Sequence, residues 1–223
     1  MKTIRLLMIP VLMGCFMLLS SATDPTKEVE RIQKSTAVLH DFGKMKEEIP
    51  SQLVRQAQGM IIIPHMINAG LAIGGKRGKG VAVVKLSDGG WSNPVFVTFT
   101  GGSFGLQVGV QSVDLVLVFK HKNVLTKMEK GDFTIGGDIS VAAGPVGRST
   151  TASTDYKLEA EVYSYSRSKG LFAGLSVNGS NISVDKSANS AFYGSKATSH
   201  TIFADAKSTS GDVGALKSAI GAL

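Results

Sequence analysis

Glycine recurs inside stretches that otherwise alternate like β-strands, and this combination restricts the fold more than any other feature of the chain. From Ser103 to Ser112, Leu106, Val108 and Val110 alternate with Gln107, Gly109 and Gln111, a period of two. Glycine makes up 26 of the 223 residues, about 12%, against a usual level of roughly 7%. With six prolines and no G-X-Y period, the excess indicates neither collagen nor a linker. It indicates tight turns and close backbone approaches in a β-rich fold.

The strand series is long. Met60–Ile63 ends at Pro64, and Ala69–Gly74 and Gly80–Leu86 follow. After the turn Asp88-Gly89-Gly90 come Val95–Thr100, Ser103–Ser112 and Leu115–Lys120. A short helix is expected from Asn123 to Lys130, stopped by Gly131. Strands resume over Phe133–Ala143 and Glu159–Ser166, with Leu171–Val184 as hairpin partner across Ser168-Lys169-Gly170.

Helical periodicity is confined to the two ends. Val29, Ile32, Leu39 and Phe42 share one face between Thr26 and Phe42, and Pro50 opens a second short helix through Gln58. Val213, Leu216 and Ile220 form a stripe near the C-terminus. The fold class expected is therefore α+β: a twisted or barrel-like antiparallel β-sheet with helices at the N- and C-terminal ends.

Met1–Ala22 reads as an export signal. Lys2 and Arg5 precede an apolar run from Leu6 to Leu19, and Ser20-Ser21-Ala22 supplies the small residues of a cleavage site. Residues 1–22 are thus expected to be removed, leaving 23–223 as a single domain that is periplasmic or secreted. Leu12-Met13-Gly14-Cys15 spells a rival lipoprotein box that would acylate Cys15. It is disfavoured by the bulk of Met13 and by the apolar Phe16–Leu19 beyond it. Cys15 is the only cysteine, so cleavage after Ala22 leaves no thiol for a disulfide, a nucleophile or a zinc site.

Catalytic motifs fail on context. Gly101-Gly102-Ser103-Phe104-Gly105 fits G-x-S-x-G, but that elbow requires a following helix, and strand periodicity follows here. Ser166–Lys169 and Ser183–Lys186 fit S-x-x-K without the SDN or KTG elements that would accompany it. Gly74–Gly80 misses the Walker pattern at both ends, with Ile73 for its first glycine and Gly80 where a magnesium-binding hydroxyl belongs. His40, His65, His121 and His200 are isolated from one another, and no spacing singles out two of Asp114, Asp132, Asp138 and Asp155 as a carboxylate pair. These residues suggest no enzyme, cofactor or metal.

The remaining signal is cationic. The formal charge is +7, and it is 22 − 17 = +5 once Lys2 and Arg5 are set aside. Lys76, Arg77 and Lys79 share a glycine-rich stretch read as a loop, Arg148 follows Gly147, and Arg167 and Lys169 flank a hairpin turn. Lys120, Lys122, Lys127 and Lys130 surround the middle helix. Glycine admits an anion to backbone N–H groups while Lys and Arg supply charge. Phosphate headgroups at a membrane surface suit an exported basic chain better than nucleic acid, for which no motif is present. The apolar stripe of the first helix faces either that membrane or the core.

Several runs in order resemble the SYLF-domain family: Met60–Pro64, Gly74–Val81, Asp88–Ser92, Val141–Arg148, Ser164–Gly174 and Phe192–Gly194. The match covers roughly Lys34 to Gly194 and extends more loosely to the C-terminus. The resemblance implies a non-enzymatic module that binds anionic phospholipids, phosphoinositides being the best-known ligands, with exported bacterial members beside the eukaryotic ones. The candidate headgroup-binding residues are Lys76, Arg77, Lys79, Arg148, Arg167 and Lys169. Actin binding belongs to the eukaryotic branch and is not expected of an exported protein. The alternative is a cell-envelope scaffold that binds a protein partner.

Overall fold

A computed structural model describes residues 26–45, 49–126, 132–144, 160–172, 175–207 and 209–223. The signal segment, Cys15, Lys127, Lys130, Arg148 and Asp155 lie outside them. Helix α1 (Lys27–Gly43) is followed by α2 (Ser51–Gln56) and two very long strands, β1 (Gly59–Val84) and β2 (Val95–Phe119). Next come α3 (Lys122–Thr126), β3 (Phe133–Ile135), β4 (Val141–Ala143), β5 (Val162–Ser168), β6 (Leu171–Phe172) and β7 (Ser180–Val184). Helices α4 (Lys186–Tyr193), α5 (Ser199–Ala204) and α6 (Gly211–Gly221) complete the chain. The expected α+β class holds: a curled antiparallel sheet forms a half-barrel with helices at both ends.

Where the sequence suggested three strands before Trp91, the structure has one continuous β1, and β2 likewise merges three. β1 doubles back on itself. Lys85 N–H, just past its end, donates to the Gln58 carbonyl just before its start (2.9 Å). Glycines make the fold-back possible. A Cβ on Gly80 would strike the Ile62 carbonyl, one on Gly78 the Ile63 side chain, and one on Gly74 the Ala69 carbonyl. β2 runs antiparallel along both halves, Gly59 facing Phe119 and Ala82 facing Val95. Beyond it, Val97–Thr100 pair with β7 and Asp114–Phe119 pair with β5.

The hairpin expected between the fifth strand and Leu171–Val184 is only two residues deep, Ser168 opposite Leu171 and Arg167 opposite Phe172. β7 pairs instead with β2 and β3. β4 lies parallel to β5, an exception to the antiparallel rule. Two helices at the C-terminal end, α4 and α5, have too few apolar residues in step to be seen in the sequence. Their caps are short and local: Asp185 accepts from Ala188 N–H, and Thr198 and Thr201 form a capping box.

The sheet has a core on each face. Alternation sends Ile61, Ile63, Leu115 and Leu117 into one, closed by Phe133, Ile182 and α5. Met60, Ile62, Val116 and Val118 enter the other, beneath α1 and α6. Ile32, Leu39 and Phe42 are fully buried there, so the α1 stripe faces the core and the membrane-facing reading is corrected. Their burial contributes roughly 2 kcal/mol each relative to exposure to water.

Candidate functional site

Gly74–Gly80 is strand, not loop, because β1 runs straight through it and each residue has a cross-strand partner on β2. The expectation of an open glycine loop cradling an anion is therefore corrected: the segment is extended strand, hydrogen-bonded to β2 along its length. Alternation then sorts the three cations. Lys76 is buried, whereas Arg77 and Lys79 are exposed on the opposite face, with Thr100 and Thr98 as their β2 partners.

The Lys76 ammonium donates to the Ser176 carbonyl, and burial pushes its pKa below the usual lysine value. Ser176 lines a cleft of about 290 Å³ together with Val141, Ala142, Ser164, Leu175 and Val177. Lys76 thus ties the strand to the cleft wall and does not present its charge to solvent.

Lys79 reaches across to Asp185, 3.1 Å from Nζ to Oδ2, while remaining 53% exposed. The same oxygen receives Arg31 Nη1 at 3.1 Å, from a side chain that also stacks over Phe96. Desolvation opposes the Asp185 charge, but the Ala188 N–H, Lys79 and Arg31 outweigh it and hold its pKa below the usual aspartate value. Lys186, the next residue, is exposed. Buried Arg31 thus offsets the Asp185 charge, and Arg77, Lys79 and Lys186 remain as the exposed cations of this part of the surface. Arg31 and Asp185 escaped the sequence reading because they lie 154 residues apart and no local motif joins them.

Arg167 and Lys169 belong to a different region. The β2 residue facing Lys76 is Gly101, and the one facing Arg167 is Asp114, thirteen positions further along. Arg167 is committed internally: Nη2 lies 2.7 Å from Asp114 Oδ2 and 2.8 Å from Asp41 Oδ2 on α1. Burial works against its charge, yet hydrogen bonds and the fields of Asp114 and Asp41 hold its pKa above the usual arginine value. Lys169 is exposed at the tip of the β5–β6 turn, with φ +50°, followed by Gly170 at φ +78°. Two left-handed residues make this a type I′ connection, which a lysine occupies under strain. The six candidate residues therefore do not form one cluster: Arg77 and Lys79 share a face, Lys76 and Arg167 are internal, Lys169 stands apart, and Arg148 lies outside the described residues.

The other candidates resolve simply. Ser103 lies within β2 opposite Gly74, and strand, not helix, follows it. His65 occupies a register shift between Ile63 and Met66 at φ +48°, its N–H donating to Asp114 Oδ1 at 2.9 Å. Asp138 accepts from Thr134 N–H in the turn after β3. Among the described residues no cluster of three or more His, Cys, Asp or Glu could hold a metal ion.

A family model named Ysc84 and described as "Las17-binding protein actin regulator" matches residues 100–223. The chain is 36% identical over 185 residues to Protein YSC84 of Saccharomyces cerevisiae, covering 82% of this chain and 39% of that protein. LAS seventeen-binding protein 3 of the same yeast gives 36% identity over 82% of this chain and 40% of that protein. The human SH3 domain-containing YSC84-like protein 1 is 31% identical over 176 residues, 76% of this chain and 51% of that protein. The chain thus spans between two fifths and about half the length of these relatives.

Proposed function

Because the chain belongs to the Ysc84 family, whose SYLF motifs it carries, we propose that it is a non-enzymatic module binding anionic phospholipid headgroups at a membrane surface. The observation that carries this reading is the exposed face of β1, where Arg77 and Lys79 project from one side of the strand, with exposed Lys186 next to Asp185, whose charge buried Arg31 offsets. Near an anionic bilayer each such cation contributes about 1 kcal/mol. Arg77, Lys79 and Lys186 together support attachment that weakens as salt rises, because screening confines the effect to roughly 8–10 Å. Export to a periplasm or beyond, with residues 23–223 as the mature unit, is part of the same proposal.

Sedimentation with vesicles tests it. The protein is expected to pellet with phosphatidylglycerol- or phosphoinositide-containing vesicles and scarcely with phosphatidylcholine, and the two anionic lipids compared at equal charge measure headgroup preference. Arg77→Gln with Lys79→Gln should weaken pelleting by roughly thirtyfold, about two cationic contacts' worth. Failure of wild type to pellet at low salt would overturn the lipid reading. A protein partner would then take its place, a second reading favoured by the family's description as an actin regulator. Co-sedimentation with actin filaments is its direct measurement.

A further inference from the structure

Among the described residues Lys76 is the one buried lysine, 7% exposed, and it has no counter-charge. Its ammonium donates to the Ser176 carbonyl, and no described carboxylate pairs with it. Lys217 supplies the contrast. Burial lowers its pKa too, but Asp205 and Asp88 pull the other way, and it donates to both Asn93 Oδ1 and the Ala206 carbonyl. At Lys76 burial acts alone. A buried ammonium with one neutral acceptor leaves two N–H groups and a charge unanswered.

The surroundings hold the rest of a site. Lys76 faces Gly101, two residues from Phe99 on β2, so its side chain lies on the Phe99 side of the sheet. The Ser180 hydroxyl overlies Gly101, 2.3 Å from where a Cβ there would stand. Ser180 is fully buried, and its Oγ has no hydrogen-bond partner among the described residues. Ser176, which receives the Lys76 ammonium, lines the cleft of about 290 Å³, close to the roughly 300 Å³ at which ordinary ligand cavities begin. The cleft walls are mainly aliphatic: Val177 belongs to the core on this face, and Val141 and Leu175 pack against it. Asp138 and Glu161, the described acids nearest the walls in sequence, accept from the Thr134 and Ser140 N–H groups.

We infer that this cleft binds a small amphipathic monocarboxylate, its aliphatic chain against Val141, Leu175 and Val177 and its carboxylate on Lys76. One negative charge balances the one buried cation, whereas a dianionic phosphate would leave a buried surplus. A carboxylate has two oxygens, one to accept from the ammonium and one from the otherwise idle Ser180 hydroxyl. The chain covers aliphatic wall that otherwise meets water. Arg77 and Lys79 project from the opposite face of β1, so this site does not depend on the headgroup reading.

The full chain is titrated with sodium octanoate, and with octanol and octyl phosphate as probes of the same chain length, followed by amide NMR. Octanoate should shift the Lys76 and Leu175–Asn178 amides saturably, and the other two probes should bind at least roughly tenfold more weakly. Lys76→Met keeps the apolar stem and should bind octanoate no better than octanol. Ala143→Phe, at an exposed position on the cleft wall, should block the chain without disturbing the core. It decides the question if Lys76→Met does not fold. Octanol or octyl phosphate binding as tightly as octanoate would overturn the inference. So would unchanged octanoate binding in Ala143→Phe, a response confined to Arg77 and Lys79, or no response at millimolar octanoate. Vesicle binding through Arg77 and Lys79 would survive each of these results.

Discussion

Arg167 on β5 and Asp114 on β2 are direct cross-strand partners, and their guanidinium and carboxylate meet at 2.7 Å inside the structure. Asp114 spends its other oxygen on the His65 N–H, and Arg167 its remaining reach on Asp41. One ion pair therefore ties together the register shift of β1, the centre of the sheet and the end of α1. The Arg167 Nε is buried without a partner among the described residues, a cost accepted for this junction.

Arg167→Met should consequently lower stability by about 3 kcal/mol, because it strands a buried carboxylate. Adding Asp114→Asn, which retains an acceptor for His65, should recover a substantial part of that loss. Denaturant unfolding of the two variants measures it. Equal stability of Arg167→Met and wild type would return Arg167 to the list of surface ligands.

Asp185 sets an acid limit. Its folded pKa lies below the usual 3.8, so its contribution is fully present above that value and is lost as pH falls through the folded pKa. Melting temperature followed from pH 6 downward should drop below about pH 4. In Asp185→Asn the starting stability should be lower and the acid fall shallower. Identical acid profiles would show that Arg31 and Lys79 do not hold the charge.

Gly80 and Gly211 should respond oppositely to alanine. At Gly80 the new methyl would meet the Ile62 carbonyl, and backbone cannot step aside cheaply; a loss of about 3 kcal/mol or more is expected. Gly211 opens α6 with nothing within 4 Å of a Cβ, and there alanine should gain roughly 0.5 kcal/mol. Thermal melts distinguish the pair.

Processing is checked by intact mass spectrometry of protein recovered from an exporting host. The expected N-terminus is Thr23 without an acyl chain. A diacylated Cys15 would make the protein a membrane-tethered lipoprotein and change the geometry of every vesicle experiment.

The legible parts of the fold were those governed by local pattern. α1 appears within one residue of its expected start and end, because Thr26 caps it and its apolar spacing fits one face. Val213, Leu216 and Ile220 lie buried on α6 as their spacing suggested. The β7 segment was recognisable as a strand, but its partner was not: alternation says that Ile182 points inward and cannot say whether Phe99 or a residue of β5 lies opposite. The cationic site was half legible. Arg77 and Lys79 stand out in the chain, whereas Asp185 and Arg31 become part of the same face only when α1 and α4 close over β2.

What the sequence by itself determined is the material: strand-forming runs dense in glycine, helices at both ends, a basic surplus, and motifs specific enough to place the family. Tertiary structure decided which cations remain available. Lys76, Arg77 and Lys79 are near neighbours in the chain, yet the two-residue strand period buries the first and exposes the others. Arg167 and Lys169 are as close, yet pairing with Asp114 neutralises one while the turn lifts the other into solvent. Charge is a property of the residue, but its availability depends on burial and on which distant carboxylate the fold brings within 3 Å, and that is settled only when the sheet closes.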